Sequence, residues 1–506
     1  MQKKQVYLFL VFAVLARLLA GAALLMAASK RVTDISGENE EIRASLTVLS
    51  PTLVVPPDTD GFTLSLLCDR AAYPYCTGQA DGSGLARRVW LRNNHLKEET
   101  GITLDLAYTA DFYAEATADL LSGDRQYNLY AADAAQNLSK LLAAGHLFDT
   151  SDSAYIQDTL PWYDAAGMDE LSLFGKRYLI SSAALDARQG ASVLLYNRSL
   201  LRTLENSENT ALTLSASALD GLFTFEELLA VSKTAAAAYE NPPSVPTLMD
   251  QMQTNSVFAG EAETAEPDAP DAADAAGAPN GAGFSGLTFG SEDAFAIYTA
   301  LGGSFAESTS DTPQISVTLD TLRDKLSAVI DLSLEESVRV HETAFENAAS
   351  LFGVAKLSEV ETIKTAISDI GLLPMPKQNA AEDYRCFVDL RGTPVLAIPA
   401  GASDTRKIEY LIDRMAFLSY GYIEPLVQKN LTQGNPDDEK MLDVIYDSAV
   451  YDLSNLFGYG SIERLAADTL DAKTTDRLTL DYYNRQALYE KAFEIIGKRL
   501  AKPPDA

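Results

Sequence analysis

The stretch Gly175–Leu201, GKRYLISSAALDARQGASVLLYNRSLL, decides the fold. A turn at Gly175-Lys176 leads into a short strand around Arg177–Ser181 and then into a polar connector carrying Gly190. A second strand follows from Ala191 to Tyr196, apolar on almost every residue. A run without polar alternation predicts a strand covered on both faces, the habit of parallel sheets in α/β proteins. Asn197-Arg198-Ser199 then offers a cap for a helix opening at Leu200. Two buried strands joined by a polar connector mark a place where a chain leaves one lobe and enters another.

The surrounding sequence supports the same class. At 506 residues the chain has room for two to four domains of roughly 150 residues, or for two large lobes. An apolar fraction of 47% with 9% aromatics is enough to build a substantial core. Glu98-Glu99-Thr100 ends a helix that Gly101 stops, and Ile102–Leu106 alternates as a strand. A strand at Phe62–Leu67, a helix at Tyr113–Ser122, a strand following Asp124 and a helix at Asn137–Ala144 ended by Gly145 complete a β-α-β-α rhythm. From Asp437 to Lys502 the chain reads as largely helical, with breaks near Gly458-Tyr459-Gly460 and at Thr474-Thr475.

Charge and composition exclude several functions. Forty basic residues against 71 acidic ones give a formal charge of −31. That balance argues against nucleic-acid binding, which needs a basic footprint, and against adsorption to anionic lipid. The three histidines, His95, His146 and His341, are far apart, and no Cys-x-x-Cys pair is present, so no metal site is expected. There is no phosphate loop, no Gly-x-Ser-x-Gly elbow and no His-Glu-x-x-His, and two catalytic carboxyls cannot be singled out among so many. The chain is therefore expected to be no enzyme and to need no cofactor. Cys68 and Cys76, in CDRAAYPYC, are either a small disulfide loop or free thiols, and Cys386 stands alone.

The amino terminus points out of the cytoplasm. Lys3 and Lys4 precede an apolar run from Val6 to Ala28 broken only by Arg17. Two readings stand side by side for residues 1–29: a signal peptide cut in Met26-Ala27-Ala28-Ser29, or a retained membrane anchor. Residues 30–58 are polar and acidic and read as a tether. Gly260–Gly283, GEAETAEPDAPDAADAAGAPNGAG, holds nothing able to anchor a core and reads as a disordered acidic loop within one lobe.

Taken in order, short motifs along the chain resemble the family 1 extracellular solute-binding proteins, the receptor components of bacterial ABC importers. Glu98–Ile102 (EETGI) is similar to the segment before the family's second strand. Tyr127-Asn128-Leu129 resembles its YDL, with Asn128 in place of Asp, and Leu147-Phe148-Asp149 resembles the segment after the next helix. Gly175–Tyr178 and Tyr196-Asn197-Arg198 resemble GK.Y and YNK around the first lobe crossing, and Thr224–Leu228 (TFEEL) resembles TWEEL. Gly371–Lys377 (GLLPMPK) resembles GILPMPK, and Met441–Ile445 with Tyr451-Asp452-Leu453 resembles MLDII and YDLG. No cysteine sits just after the apolar run to carry the lipid usual in Gram-positive members, and the acidic insertion is a second departure.

The resemblance implies an α/β, two-lobe periplasmic-binding-protein-like fold of the class II type. It places residues 59–188 and 387–430 in the first lobe and residues 189–386 and 431–506 in the second. The first crossing is expected near Ala183–Val193 and the return near Arg385–Val395. It further implies a small solute, a sugar or oligosaccharide, held between the lobes and delivered to ABC permease subunits. A membrane-tethered sensor or surface interaction protein on the same fold is the alternative. Sugars stack on aromatic faces and bond to polar rims. Candidate ligand residues are accordingly Trp162 and Tyr163 before the first crossing, and Asp186 and Arg188 within it. Tyr384, Asp389 and Arg391 stand around the return, and Tyr459 in the Gly-rich break. Trp90, among apolar helical neighbours, reads as core.

Overall fold

The computed structural model describes residues 54–501 apart from 123–124, 203–213, 239–283, 310–311, 341–344 and 460, together with Asn39, Ile42, Arg43, Ser45 and Leu46. The apolar run at 6–28 and the acidic stretch 260–283 lie outside these residues.

Two sheets organise the chain. The first has the order β12-β3-β1-β2, formed by β1 (Thr63–Cys68), β2 (Thr103–Tyr108), β3 (Leu129–Asp133) and β12 (Pro394–Ala397). β1 runs parallel to β2 and β3, and β12 closes the edge antiparallel to β3. The second has the order β10-β4-β9-β5-β8. Its members are β4 (Ser192–Asn197), β5 (Ser285–Phe289), β8 (Val338–Val340), β9 (Ser350–Lys356) and β10 (Ile370–Leu373). A hairpin of β6 (Ala306–Thr309) and β7 (Thr312–Ile315), and a two-residue pair of β11 (Cys386–Phe387) with β13 (Ala449–Val450), complete the strands among the described residues.

Residue type explains the elements. Leu64, Leu66 and Cys68 of β1 enter one apolar cluster together with Leu129 and Ala131 of β3. Leu67, Tyr130 and Ala132, one residue out of step, enter the other. The two-residue period of a strand thus serves two covered faces. The helix Gly84–Thr100 ends where Gly101 takes a φ of 70°, a left-handed C-cap that costs glycine nothing. The Asn197 carboxamide accepts the Leu200 N–H at 3.0 Å and caps the helix Arg198–Leu201.

β4 is buried on all six residues, as its apolar run leads one to expect. Its pairing differs from the expectation. It lies antiparallel to both β9 and β10. Burial on both faces reports that helices and loops cover a strand, and it carries no information about strand direction.

The chain passes between the sheets at neighbouring places. Ile180 still bridges Leu396 of the first sheet, whereas Ser192 opens β4 in the second. The return runs from Val388, which bridges Ala191, to β12. A third passage uses helices: Thr405–Tyr422 packs on Gly84–Thr100, Glu424–Thr432 follows, and Pro436–Asp447 packs against β10. One apolar cluster runs continuously from Tyr130 and Leu138 beside the first sheet to Phe352 and Phe295 beside the second.

Candidate functional site

Parallel strands gather the amino-terminal ends of the following elements at their carboxyl edge, where open α/β sheets hold ligands. The segment after β1 is built for that position. Asp69 accepts the Ala72 N–H at 3.0 Å with one oxygen, and the Asp133 N–H and Asn137 Nδ2 at 2.7 and 2.8 Å with the other. Asp133 in turn accepts the Gln136 and Gly392 N–H groups at 2.7 and 2.6 Å. The loops after β1 and β3 and the return crossing are thereby bonded into one frame. Burial pushes the Asp133 carboxyl up to about 6 against these bonds.

Against that frame opens a cavity of about 500 Å³. Ala71, Tyr75, Gly84, Leu85 and Gly392–Pro394 form its wall on the first-sheet side, and Lys356, Leu357, Ser358, Glu359 and Glu361 form the wall beyond β9. Asp186, Gln189 and Gly190 of the first crossing and Leu426, Val427, Asn430 and Leu431 of the third close it. Tyr75 faces across the gap: burial first, then the charges of Asp186 and Glu361, push its phenol far above the usual range. Gly190 permits the tight pass beside the return strand, because a Cβ there would stand 2.4 Å from the Asp389 carbonyl oxygen.

Behind the cavity the crossings are tied by charge. Arg188 donates to Glu424 at 3.0 Å, and its guanidinium lies 4.0 Å from the centre of the Tyr446 ring. Gln189 donates to Asp186 at 2.8 Å, and Asp186 itself has a φ of 52°. Burial raises the Asp186 carboxyl and brings Glu424 to about 6 despite the neighbouring Arg188. Asp389, 2% exposed, accepts from Lys356 at 2.7 Å, from the Arg391 fork at 2.9 Å and from Asn455 at 3.2 Å. One carboxylate of the return crossing thus holds the end of β9 and the helix Leu453–Phe457.

The residues singled out in the sequence divide accordingly. Asp186 and Arg391 line the cavity. Arg188 and Asp389 stand behind it as ties between chain passages. Trp162 and Tyr163 are placed elsewhere, 3% and 5% exposed in the core of the first lobe. Their Nε1–H and hydroxyl donate to Asp413 at 2.8 and 3.2 Å, so the aromatic pair supplies hydrogen bonds to a buried carboxyl within the core. Tyr384 accepts the Phe223 N–H at 2.9 Å beneath Lys377, within the second lobe. Tyr459 stacks on Phe457 at 5.5 Å and packs against Tyr489.

Tyr75, Gln189, Lys356, Glu361 and Asn430 were missed by sequence reasoning. Tyr75 alone carried a signal, as an aromatic residue just past the first strand of a βαβ unit. Trp90 is half-buried with Arg87 stacked at 4.6 Å from its ring centre. Among the described residues, no group of three or more His, Cys, Asp or Glu is placed to hold a metal ion, and no helix is long and apolar enough to cross a membrane.

Solved structures share this architecture. The chain is similar to a cyclo/maltodextrin-binding protein complexed with maltotetraose, at 13% identity and a TM-score of 0.52, over 89% of this chain and 99% of that one. It is also similar to the maltose-binding periplasmic protein of Listeria monocytogenes in complex with maltose, at 12% identity, a TM-score of 0.49, and 89% and 100% coverage. A third similar structure is an ABC transporter solute-binding protein from Thermotoga lettingae TMO bound with alpha-D-tagatose, at 14% identity, a TM-score of 0.45, and 87% and 100% coverage. The first of these likenesses shows the fold, the two-lobe α/β fold of periplasmic binding proteins. No protein-family model and no curated protein matches the chain.

Proposed function

We propose that the chain is an extracytoplasmic solute-binding protein that captures a sugar or oligosaccharide between its lobes and presents it to the permease of an ABC transporter. The cavity of about 500 Å³, walled by both lobes and floored by the chain crossings, carries this reading. Its volume is that of a small-ligand site, roughly 300–1,000 Å³. Its polar groups alternate in kind: Gln189 and Asn430 offer donors and acceptors, Asp186 and Glu361 acceptors, and Arg391 donors, with Tyr75 as a flat face. A pyranose has hydroxyls around its rim and apolar C–H faces, and such a lining matches both. Binding is the whole task. Closing the lobes on the solute buries it, and the closed pair is what a membrane partner recognises.

A thermal-shift panel tests this on the purified chain, using neutral mono- and oligosaccharides, amino acids and short peptides. A sugar supplied at about 100 times its dissociation constant adds about 2.7 kcal/mol and raises the melting temperature visibly. Tyr75→Ala is expected to weaken that sugar about tenfold, the loss of roughly 1.4 kcal/mol of stacking. A panel in which amino acids or peptides alone stabilise the chain would replace the sugar reading. Silence throughout would remove the solute reading and leave a tethered interaction protein on this fold.

A further inference from the structure

A second cavity, of about 410 Å³, lies at the far end of the first sheet. β12 runs antiparallel to β3, so Ala400 and Gly401, which follow it, emerge beside the amino ends of the parallel strands. The first cavity lies at their carboxyl ends. Three chain segments bonded side by side form the new wall. Leu147 bridges Pro399; the Phe148 N–H donates to the Ile398 carbonyl and the Ala400 N–H to the His146 carbonyl, both at 2.8 Å. The Thr150 N–H donates to the Arg177 carbonyl at 2.7 Å, which sets Lys176 and Tyr178 beside Asp149. Arg499 and Leu500, in the last turn of the helix Leu478–Leu500, close the cavity. That turn is firmly seated: Gly497 lies so near Phe174 that a Cβ would stand 2.8 Å from its ring.

The lining holds donors that the protein itself leaves unpaired. Tyr178 is 4% exposed, and its hydroxyl has no hydrogen-bond partner among the described residues. Lys176 meets Asp149 in an ion pair at 3.6 Å and makes no hydrogen bond among those residues. One oxygen of Asp149 is occupied by the loop, accepting the Ser151 N–H and hydroxyl and the Arg177 N–H at 3.0, 2.6 and 3.3 Å. Arg499 gives one N–H to the Ala143 carbonyl at 3.0 Å, and the rest of its guanidinium has no partner among the described residues. Arg125 adds a further positive charge, bonded to the Ala400 carbonyl. Burial first, then the charges of Arg125 and Arg499, lower the His146 imidazole, as a positive field does. Buried polar groups ordinarily find partners, so these donors call for an acceptor from outside the chain.

We propose that this cavity is a second binding site, which takes a small organic carboxylate with a flat apolar body. The carboxylate accepts from Lys176, Arg499 and the Tyr178 hydroxyl, while the body lies against Leu147, Phe148 and Leu500. An occupant so held joins the end of the last helix to segments 147–149 and 176–178. The site stands on its own lining and does not rest on the reading of the first cavity.

Calorimetric titration of the full chain with benzoate and with nicotinate tests this. Benzyl alcohol serves as the uncharged control and inorganic phosphate as the anion without an apolar body. The carboxylates are expected to bind, more weakly as salt rises, and both controls about tenfold more weakly or not at all. Lys176→Gln is expected to weaken benzoate about tenfold and Tyr178→Phe about fivefold. Tyr178→Phe keeps the buried ring, so it reports on the hydroxyl even if another variant fails to fold. Hydrogen exchange is expected to slow at 146–149 and 497–500 when benzoate is present. Silence from both carboxylates, or equal binding of either control, would overturn the proposal. So would a loss of benzoate binding in Tyr75→Ala with none in Lys176→Gln and Tyr178→Phe, which would place the ligand in the first cavity.

Discussion

Asp389→Ala is expected to lower the stability of the chain by about 3 kcal/mol, the scale on which removing one partner of a buried ion pair acts. Burial alone would raise the Asp389 carboxyl. The hydrogen bonds and charges of Arg391 and Lys356 overcome that and hold it at about 2. Holding the carboxyl that far below its ordinary value corresponds to roughly 2–3 kcal/mol of native-state interaction. Part of that is lost to water, because the side chains of Arg391 and Lys356 are 46% and 30% exposed. The Asn455 bond and the β9 end also depend on this carboxylate, which restores the total to about 3 kcal/mol. A folded-state value below the unfolded one stabilises above the unfolded value and fades as pH falls through 4 toward 2. Denaturant unfolding of wild type and variant at neutral pH measures the difference. A loss under about 0.5 kcal/mol, the scale of an ordinary surface change, would show the ties to be ornamental.

The second large effect has the opposite sign with pH. Burial raises Glu170 and Asp293 to about 7, and Asp133 and Glu424 to about 6. A carboxyl whose folded value lies above its unfolded value binds more protons in the folded state. Its contribution is therefore complete below about pH 4 and is lost as pH rises through 6 to 7. Each of the four is worth on the order of 2–4 kcal/mol by that linkage. The formal charge of −31 acts in the same direction, since protonation relieves self-repulsion. The melting temperature is expected to climb by several degrees from pH 8 to about pH 5 and to fall again below pH 4, as the stabilisation from Asp389 fades toward pH 2. Glu424→Gln removes one share of the slope. A melting temperature that is flat, or higher at pH 8 than at pH 5.5, would contradict the assignment of these carboxyls as buried proton holders.

Much of the fold was legible because its signals are local. A glycine after a helix, an apolar run between polar connectors and a period of two each act within a few residues. The crossing segment around Asp186 shows itself as a polar stretch between two strands that cannot tolerate one. The direction of β4 was not legible, because hydrogen-bond partners some 160 residues away set it and its own composition does not. Trp162 and Tyr163 show the same limit in the site. Two aromatics beside a crossing suggest a cleft, yet both bond to Asp413, 251 and 250 residues further on. A carboxyl that the aromatics bond to from so far along the chain leaves no local trace in the sequence. Tyr75 lies at the cavity because it follows the carboxyl end of β1, which is parallel to β2 and β3. Lys356 and Glu361 reach the same place only through the stacking of β9 in the other sheet.

Backbone hydrogen exchange, with and without the most stabilising sugar, tests capture between the lobes most directly. Protection is expected to rise together in residues 71–85, 186–190, 356–361 and 392–394, which reach the cavity from both lobes and from the crossings. Protection confined to one lobe, or appearing only away from these segments, would contradict it.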